Sequence, residues 1–128
     1  MGSPTDRRYS DKHVWAKKED SKATFGLTEC NATKPGTVTS VSNLAAKGTN
    51  LSQGGQMGTL NRQGNTSDAF IAPLSGTVID REEHNFDIGD VVKKPYESTS
   101  WFIRIDGVND EEWNKLMTAD KYDQLPCP

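Results

Sequence analysis

Pro35-Gly36-Thr37-Val38 recurs 40 residues later as Ser75-Gly76-Thr77-Val78. In each copy a second turn glycine, Gly48 or Gly89, follows the first glycine after 12 or 13 residues. The segments that come next are Thr49-Asn50-Leu51 and Asp90-Val91-Val92. Each is short enough to form a second strand. A strand, a turn and a second strand used twice are typical of a sandwich of two small sheets related by a pseudo-twofold axis.

Short segments rich in β-branched and aromatic residues continue this pattern along the chain, separated by Gly, Pro, Asn or Ser. They predict strands at Val14–Lys18, Ala23–Leu27, Thr37–Val41, Phe70–Ala72, Thr77–Asp80 and Trp101–Ile105. In the last of these, alternation predicts that Trp101, Ile103 and Ile105 share one face of the strand and lie in the core. The sequence therefore indicates a mainly β protein.

Helical signals are concentrated near the end of the chain. Asn109 has the properties of an N-cap, and Glu112 stands at the capping-box position. Apolar residues follow at helical spacing: Trp113, Leu116 and Met117. This stripe predicts a helix packed against the sheet. A second short helical segment is expected over Thr118 to Leu125, where Pro126 stops it.

Length and composition limit the function. The chain has 128 residues, which corresponds to one domain, expected at residues 9–125 with an N-terminal tail or expression scar at 1–8 and a C-terminal tail at 126–128. A formal net charge of −3 argues against nucleic acid as a partner. No apolar run approaches the roughly 18 residues of a membrane span, and no signal peptide is recognisable, so we expect an intracellular protein.

Candidate chemistry is sparse. Cys30 and Cys127 are 97 positions apart and lack the spacing of a zinc or redox motif, so two free thiols and no metal site are expected. His13 is expected to form a hydrogen bond at a strand end, and His84 to be an exposed surface residue. No set of catalytic residues stands out, which predicts a protein that is not an enzyme.

Four stretches of the chain together match the motifs of a known family. They are Tyr9-Ser10-Asp11-Lys12-His13-Val14-Trp15, Ala23-Thr24-Phe25-Gly26-Leu27-Thr28, Ala72-Pro73-Leu74-Ser75-Gly76-Thr77-Val78, and Pro95-Tyr96 followed by Trp101-Phe102-Ile103-Arg104-Ile105. In order and spacing they resemble the H-protein of the glycine cleavage system. The resemblance extends from Tyr9 to Leu125. It implies a barrel-sandwich hybrid, related to lipoyl and biotinyl carrier domains, with short C-terminal helices.

The resemblance breaks at one hairpin. In the family this hairpin reads Glu-Ser-Val-Lys-Ala, and lipoate acylates the lysine amine. Here it reads Leu60-Asn61-Arg62-Gln63-Gly64-Asn65-Thr66-Ser67-Asp68. Counting back from Ala72-Pro73 places Asn65 at the lysine position, and counting forward from Met57-Gly58 places Gly64 there. Neither residue has an amine that could form the amide, so lipoate is expected to be absent.

No other residue replaces the lysine convincingly. The Arg62 guanidinium stays protonated and is a poor nucleophile. Lys47, Lys93 and Lys94 belong to other turns and lack the acidic context of the family motif, and Asn61 replaces the acidic residue itself. The altered hairpin is then a candidate partner-binding site. It consists of Asn61, Arg62, Gln63, Gly64 and Asn65.

Two functions remain in view. The first is a noncatalytic module that keeps the H-protein fold and binds a protein partner or joins a complex. The second, implied by the resemblance, is a divergent carrier in glycine decarboxylation that shuttles an aminomethyl group between the enzymes of the system. The missing lysine favours the first. The resemblance also implies a mitochondrial location in a eukaryote and a cytoplasmic one otherwise.

Overall fold

The computed structural model describes residues 3–33, 36–84 and 86–127. Its strands are β1 (Arg8–Tyr9), β2 (Val14–Glu19), β3 (Lys22–Leu27), β4 (Val38–Ser42), β5 (Asn50–Leu51), β6 (Gln56–Arg62), β7 (Thr66–Ile71), β8 (Gly76–Arg81) and β9 (Trp101–Asp106). Its helices are α1 (Glu29–Thr33), α2 (Ile88–Lys93), α3 (Asp110–Lys115) and α4 (Ala119–Tyr122). The predicted mainly β architecture with short helices near the C-terminus is confirmed.

The strands form two antiparallel sheets. One has six strands in the order β1-β2-β3-β9-β8-β5, and the other has three in the order β4-β6-β7. Apolar residues from both sheets form one core, and the largest fully buried ones include Phe25, Phe70, Phe102, Leu60 and Ile103. This is the sandwich that the two copies of the Gly-Thr-Val pattern predict, and it presents the β6–β7 hairpin at one end of the smaller sheet.

A second cluster lies on the outer face of the six-stranded sheet. Tyr9 pairs with Trp15, Trp15 with Gly26, and Gly26 with Trp101, so these residues form a row across four strands. A side chain at Gly26 would meet the Trp15 ring, which explains the glycine. The sequence places residues 7 and 8 in a tail, but both are part of the folded domain. Arg8 is in β1, and the Arg7 guanidinium lies 4.6 Å from the centre of the Trp15 ring.

Strand β9 corrects one core prediction. Phe25 pairs with Ile103 and Gly26 with Trp101, so Phe102 is an extra residue in a bulge. The bulge reverses the alternation, and Phe102 is buried in the core together with Ile103 and Ile105. Trp101 is instead half-buried on the outer face, where the Arg104 guanidinium lies 4.5 Å from its ring centre. Its predicted place in the core is wrong.

The second copy of the internal pattern also differs from expectation. Asn50–Leu51 forms a strand that pairs with β8, as predicted, but residues 90–92 lie within α2. Ile88, Val91 and Val92 have the i, i+3, i+4 spacing of a helix face, and all three pack on the core. Tertiary burial of this face therefore outweighs the strand preference of paired valines.

Helix α3 begins as predicted. The Asn109 side chain accepts hydrogen bonds from the backbone N–H groups of Glu111 and Glu112, at 2.8 and 3.3 Å. The Glu112 carboxylate accepts from the backbone N–H and hydroxyl of Ser75, at 2.8 and 2.7 Å, instead of completing a capping box. The apolar stripe divides, because Trp113 and Leu116 pack on the main core whereas Met117 joins the outer cluster.

The two cysteines form a disulfide, so the prediction of free thiols is wrong. The Cα atoms of Cys30 and Cys127 are 5.7 Å apart. Their approach follows from α4, since Tyr122 stacks on Tyr9 with ring centroids 4.7 Å apart and donates a 2.7 Å hydrogen bond to Thr28. The C-terminal segment is thereby returned to the start of α1, a contact that sequence spacing does not reveal.

The two histidines differ in burial, since His84 is buried and His13 is half-buried. His84 is 3% exposed, which contradicts the expected surface position. Its Nε2 lies 2.7 Å from the Trp101 carbonyl oxygen, and its Nδ1 lies 3.0 Å from an Asp87 carboxylate oxygen. His13, half-buried before β2, contacts the Tyr122 hydroxyl through Nδ1 at 2.7 Å, which confirms its hydrogen bond at a strand end.

Within residues 3–33, 36–84 and 86–127, no helix has the length and apolar character needed to cross a membrane.

Candidate functional site

The altered hairpin is formed by β6 and β7. Arg62 pairs with Thr66 at the last rung, which leaves Gln63, Gly64 and Asn65 as the turn. Gly64 and Asn65 both have positive φ angles, +88° and +60°. Gly and Asn are the residues that adopt this left-handed conformation most readily, so the local sequence suits a tight polar turn. All three turn residues are exposed.

The turn is held to the rest of the smaller sheet. The backbone N–H of Gln63 donates a 2.9 Å hydrogen bond to the Thr37 carbonyl oxygen, just before β4. Around the ideal side-chain position at Gly64 there is open space within 4 Å. The tip is therefore fixed at one side and open to solvent at the other, and an added side chain at position 64 would project without meeting neighbouring atoms.

Arg62 anchors the base of the hairpin. It is only 4% exposed, and its Nε donates to the Asp68 carboxylate at 2.6 Å. Its Nη1 donates to the carbonyl oxygens of Asn31 and Gly36, at 2.6 and 3.0 Å, and its Nη2 donates to the Asn31 side-chain oxygen. The planar guanidinium thus connects β7, α1 and the start of β4. Arg62 is a structural anchor whose charge does not reach the exposed tip.

Asn31 extends this network to the first part of the chain. Its side-chain nitrogen donates to the His13 carbonyl oxygen at 2.9 Å, and its backbone N–H donates to the Thr28 hydroxyl at 3.2 Å. The Thr28 hydroxyl donates in turn to the same His13 carbonyl at 3.2 Å. The hairpin base is consequently linked through α1 to the turn before β2.

A ring of hydrogen bonds closes at that turn. The single Tyr122 hydroxyl proton is donated to Thr28, so His13 Nδ1 carries the proton of the bond to Tyr122. Burial lowers the pKa of His13, against a raising effect of Asp11, and Lys12 lowers it further. Burial also raises the pKa of Tyr122 to about 12. Both groups are held in their neutral forms near pH 7.

Asn61 has a packing role as well. Its side-chain nitrogen donates to the hydroxyls of Ser40 and Ser42 on β4, at 3.1 and 3.2 Å. Of the five residues proposed from the sequence, Asn61 and Arg62 therefore bond to the body of the domain, and Gln63, Gly64 and Asn65 form the exposed tip. The sequence places Asp68 in this hairpin but predicts neither its ion pair with Arg62 nor the part played by Asn31, because no local motif identifies these partners.

The lysines considered as replacements lie elsewhere. No lysine occurs between Lys47 and Lys93 in the sequence. Lys47 lies in the turn before β5, where its amine is 3.8 Å from the Asp80 carboxylate, and Lys93 and Lys94 are at the end of α2. The structure brings none of these three residues into the hairpin.

An open cleft of about 360 Å³ lies away from the tip. Its lining includes Ser10, Lys12, Gln53, Ala72, Lys115 and Leu116. The hairpin residues 61–65 do not contribute to it. Among the residues that the structure describes, no group of three or more His, Cys, Asp or Glu side chains is arranged to hold a metal ion.

Two antiparallel sheets around one core, with an exposed hairpin on the smaller sheet, define the class as a barrel-sandwich domain of the lipoyl-carrier type. The family described as glycine cleavage H-protein matches residues 7–126. This chain belongs to the glycine cleavage H-protein family.

Individual relatives agree over almost the whole chain. The glycine cleavage system H protein of Bacillus velezensis is 32% identical over 126 residues, which cover 98% of this chain and 97% of that protein. The mitochondrial glycine cleavage system H protein 2 of Arabidopsis thaliana is 37% identical over 121 residues, 94% of this chain and 76% of that protein.

A solved structure supports the fold. The crystal structure of a glycine cleavage system H protein from Mycobacterium marinum superposes with a TM-score of 0.78 at 24% identity and covers 94% of this chain and 95% of that one. The predicted fold and family are confirmed by these comparisons.

Proposed function

We propose that this member of the H-protein family is a noncatalytic, non-lipoylated module that binds a protein partner through the β6–β7 hairpin. The observation that carries the proposal is the tip itself, where Gln63, Gly64 and Asn65 offer no amine. Amide formation with lipoate requires a nucleophilic amine on a long side chain, which amide side chains and glycine do not supply.

The hydrogen bonding at the base of the hairpin supports the proposal. A flexible lipoyl-lysine side chain needs only a firm attachment point, whereas a docking surface needs a defined shape before the partner binds. Arg62 joins β6 to β7, α1 and the segment before β4, and Asn61 joins β6 to β4. This bonding fixes the hairpin and reduces the conformational entropy that a partner would have to remove on binding.

The alternative is a divergent carrier that serves glycine decarboxylation. The named relatives favour it, because the match to the glycine cleavage system H protein of Bacillus velezensis covers 98% of this chain and 97% of that protein. For this alternative to hold, lipoate would have to be attached at a lysine outside the hairpin. Lys47, Lys93 and Lys94 are the lysines nearest to it in sequence.

The relatives also guide a proposal on location. One is bacterial, and another carries a name that places it in mitochondria. We therefore favour the mitochondrion in a eukaryotic host and the cytoplasm in a bacterial one, as the compartments in which a partner should be sought.

Incubation with a lipoate ligase that modifies H-proteins, lipoic acid and ATP tests the proposal. The wild-type chain is expected to stay unmodified, whereas Asn65→Lys or Gly64→Lys should accept lipoate, with Asn61→Glu added to restore the acidic neighbour. Asn65→Lys is the better acceptor if backbone strain decides, because a left-handed φ of +60° is less unfavourable for a side chain than one of +88°.

The native lysines serve as the internal control in this assay. A lipoyl adduct on wild-type protein, mapped by peptide analysis to Lys47, Lys93 or Lys94, would overturn the non-lipoylated reading and support a displaced carrier arm. Modification of a lysine-restored variant alone would show that the fold remains acceptable to the ligase and that the missing amine is the decisive change.

A further inference from the structure

The disulfide between Cys30 and Cys127 lies where a solution reductant can reach it. Cys127 is exposed and Cys30 is half-buried at the start of α1. Exchange requires attack by a thiolate on one of the two sulfur atoms, so exposure decides whether it occurs in the folded protein. Solvent-exposed disulfides are more easily reduced than buried structural ones.

The segment that ends in Cys127 has few other ties. Directly after α4, the Asp123 carboxylate accepts hydrogen bonds from the backbone N–H and the hydroxyl of Ser3, at 3.1 and 2.7 Å. Beyond it, the backbone N–H groups of Gln124 and Leu125 donate to carbonyl oxygens of Lys121 and Tyr122, which are local bonds. Residues 123–127 are exposed. Helix α4 itself is secured separately by Tyr122, so breaking the disulfide would release the tail and leave α4 docked.

The other end of the disulfide lies next to the hairpin anchor. Cys30 is followed in α1 by Asn31, whose carbonyl and side-chain oxygens both accept from Arg62. Helix α1 has only five residues, too short to be stable without tertiary contacts. A cross-link at Cys30 therefore restricts the same short helix that positions the acceptors of Arg62.

We propose that the Cys30–Cys127 disulfide is a reversible redox clasp that controls how firmly the β6–β7 hairpin is held. A dithiol reductant attacks one sulfur, forms a mixed disulfide and displaces the other cysteine as a thiolate. Its second thiol then closes a disulfide within the reductant and releases the remaining cysteine. Two electrons pass to the protein, which gains two thiols, and a disulfide oxidant reverses the reaction.

This inference deepens the proposed function, on which it rests only for the biological use of the hairpin. The proposed coupling connects the C-terminus to the hairpin base through α1. The coupling can be measured without a partner and without lipoate, so it can fail while the proposed function stands, and the reverse also holds.

Hydrogen exchange of the full chain, read by mass spectrometry before and after treatment with dithiothreitol, tests the clasp. Reduction is expected to make exchange several-fold faster in peptides covering the tail and the hairpin, residues 60–68, because local opening requires less free energy there. Peptides from β3 and β9 should be unchanged and act as the internal control. Cys127→Ser, at an exposed position, should reproduce the reduced pattern without reductant.

Arg62→Met in the oxidised protein is the matched variant. It should speed exchange in the hairpin and leave the tail protected, and reduction of that variant should add nothing further at the hairpin. Faster exchange confined to the tail of the reduced wild type would overturn the coupling. Failure of dithiothreitol to expose two alkylatable thiols in the folded protein would overturn the clasp itself.

Discussion

At the scale of single residues, Arg62 fixes the base of the hairpin with four hydrogen bonds. A buried guanidinium surrounded by oxygen acceptors is stabilised only while those acceptors are in place, and removing one member of such a group leaves uncompensated polar atoms. The side chain that sequence reasoning placed at the binding surface is thus the one that fixes the hairpin to the domain.

Arg62→Met is expected to lower the free energy of unfolding by about 3–5 kcal/mol, because Asp68 and two carbonyl oxygens lose their donor. Arg62→Lys should recover only part of this loss, since an ammonium group cannot reproduce the planar fork. Denaturant unfolding measures both. The control is Asp68→Asn, where the carboxylate is partly exposed, and a cost equal to that of Arg62→Met would contradict the anchoring role.

His13 predicts a pH dependence of stability. Its pKa in the folded protein is below the ordinary value of 6.5, mainly because of burial, so the unfolded chain binds its proton more tightly. Stability is therefore unaffected by this group above about pH 6.5 and falls as the pH drops from there towards the folded-state pKa.

Thermal unfolding between pH 7 and pH 5 checks this dependence. The matched control is His13→Asn, which does not titrate and suits the left-handed φ of +64° at this position. Its unfolding temperature should change less over that interval than that of the wild type. Parallel pH profiles for the two proteins would show that His13 does not contribute.

At the scale of elements, the bulge in β9 decides which side chains form the core. It turns Phe102 inward beside Ile103 and moves Trp101 to the outer row with Trp15. A bulge inserts one residue and reverses the alternation of inward and outward side chains on one side of it. Strict alternation therefore places Ile103 and Ile105 correctly in the core but places Trp101 on the wrong face.

Ile103→Ala is expected to cost about 2–5 kcal/mol of unfolding free energy, because it removes fully buried atoms and leaves a cavity. Trp101→Ala should cost less, about 1–2 kcal/mol, since its ring is half-buried on the outer face, where it packs against the outer cluster and the Arg104 guanidinium. Urea denaturation of the two variants compares them directly. A larger loss for Trp101→Ala would place that ring in the core after all.

Local pattern predicts β2 and β3 well, but it does not predict β6, the seven-residue strand Gln56–Arg62. Val14–Lys18 and Ala23–Leu27 differ from β2 and β3 by one residue at one end, because β-branched and aromatic residues there match a pleated, buried surface. Two-residue strands such as β1 carry too few residues to show a period. Residues 90–92 form a helix because burial of one face, which sequence alone does not measure, outweighs propensity.

The contacts of the site are harder to predict for a different reason. Arg62 meets Asn31 across 31 positions, and Cys30 meets Cys127 across 97. Neither pair has a spacing motif, and both depend on the packing of elements far apart in the chain. The absence of lysine from residues 60–68 can be read from the sequence directly, because it is a matter of composition.

At the scale of the whole molecule, the domain keeps the architecture of its family. The core, the two sheets and the outer aromatic row extend through nearly all of the chain, in agreement with the match over residues 7–126. The tip of its hairpin offers no amine, and Arg62 and Asn61 fix the base of the hairpin to the rest of the domain. We propose that this molecule serves without lipoate.

The intact mass of the protein isolated from its native source tests that claim most directly, with a lipoyl-specific antibody applied to the same extract to show that lipoylation is active there. We expect the mass of the polypeptide with one disulfide and no lipoyl increment, because the hairpin holds no acceptor amine. A stoichiometric lipoyl increment, located on any lysine of the chain, would contradict the account and identify the molecule as a working carrier.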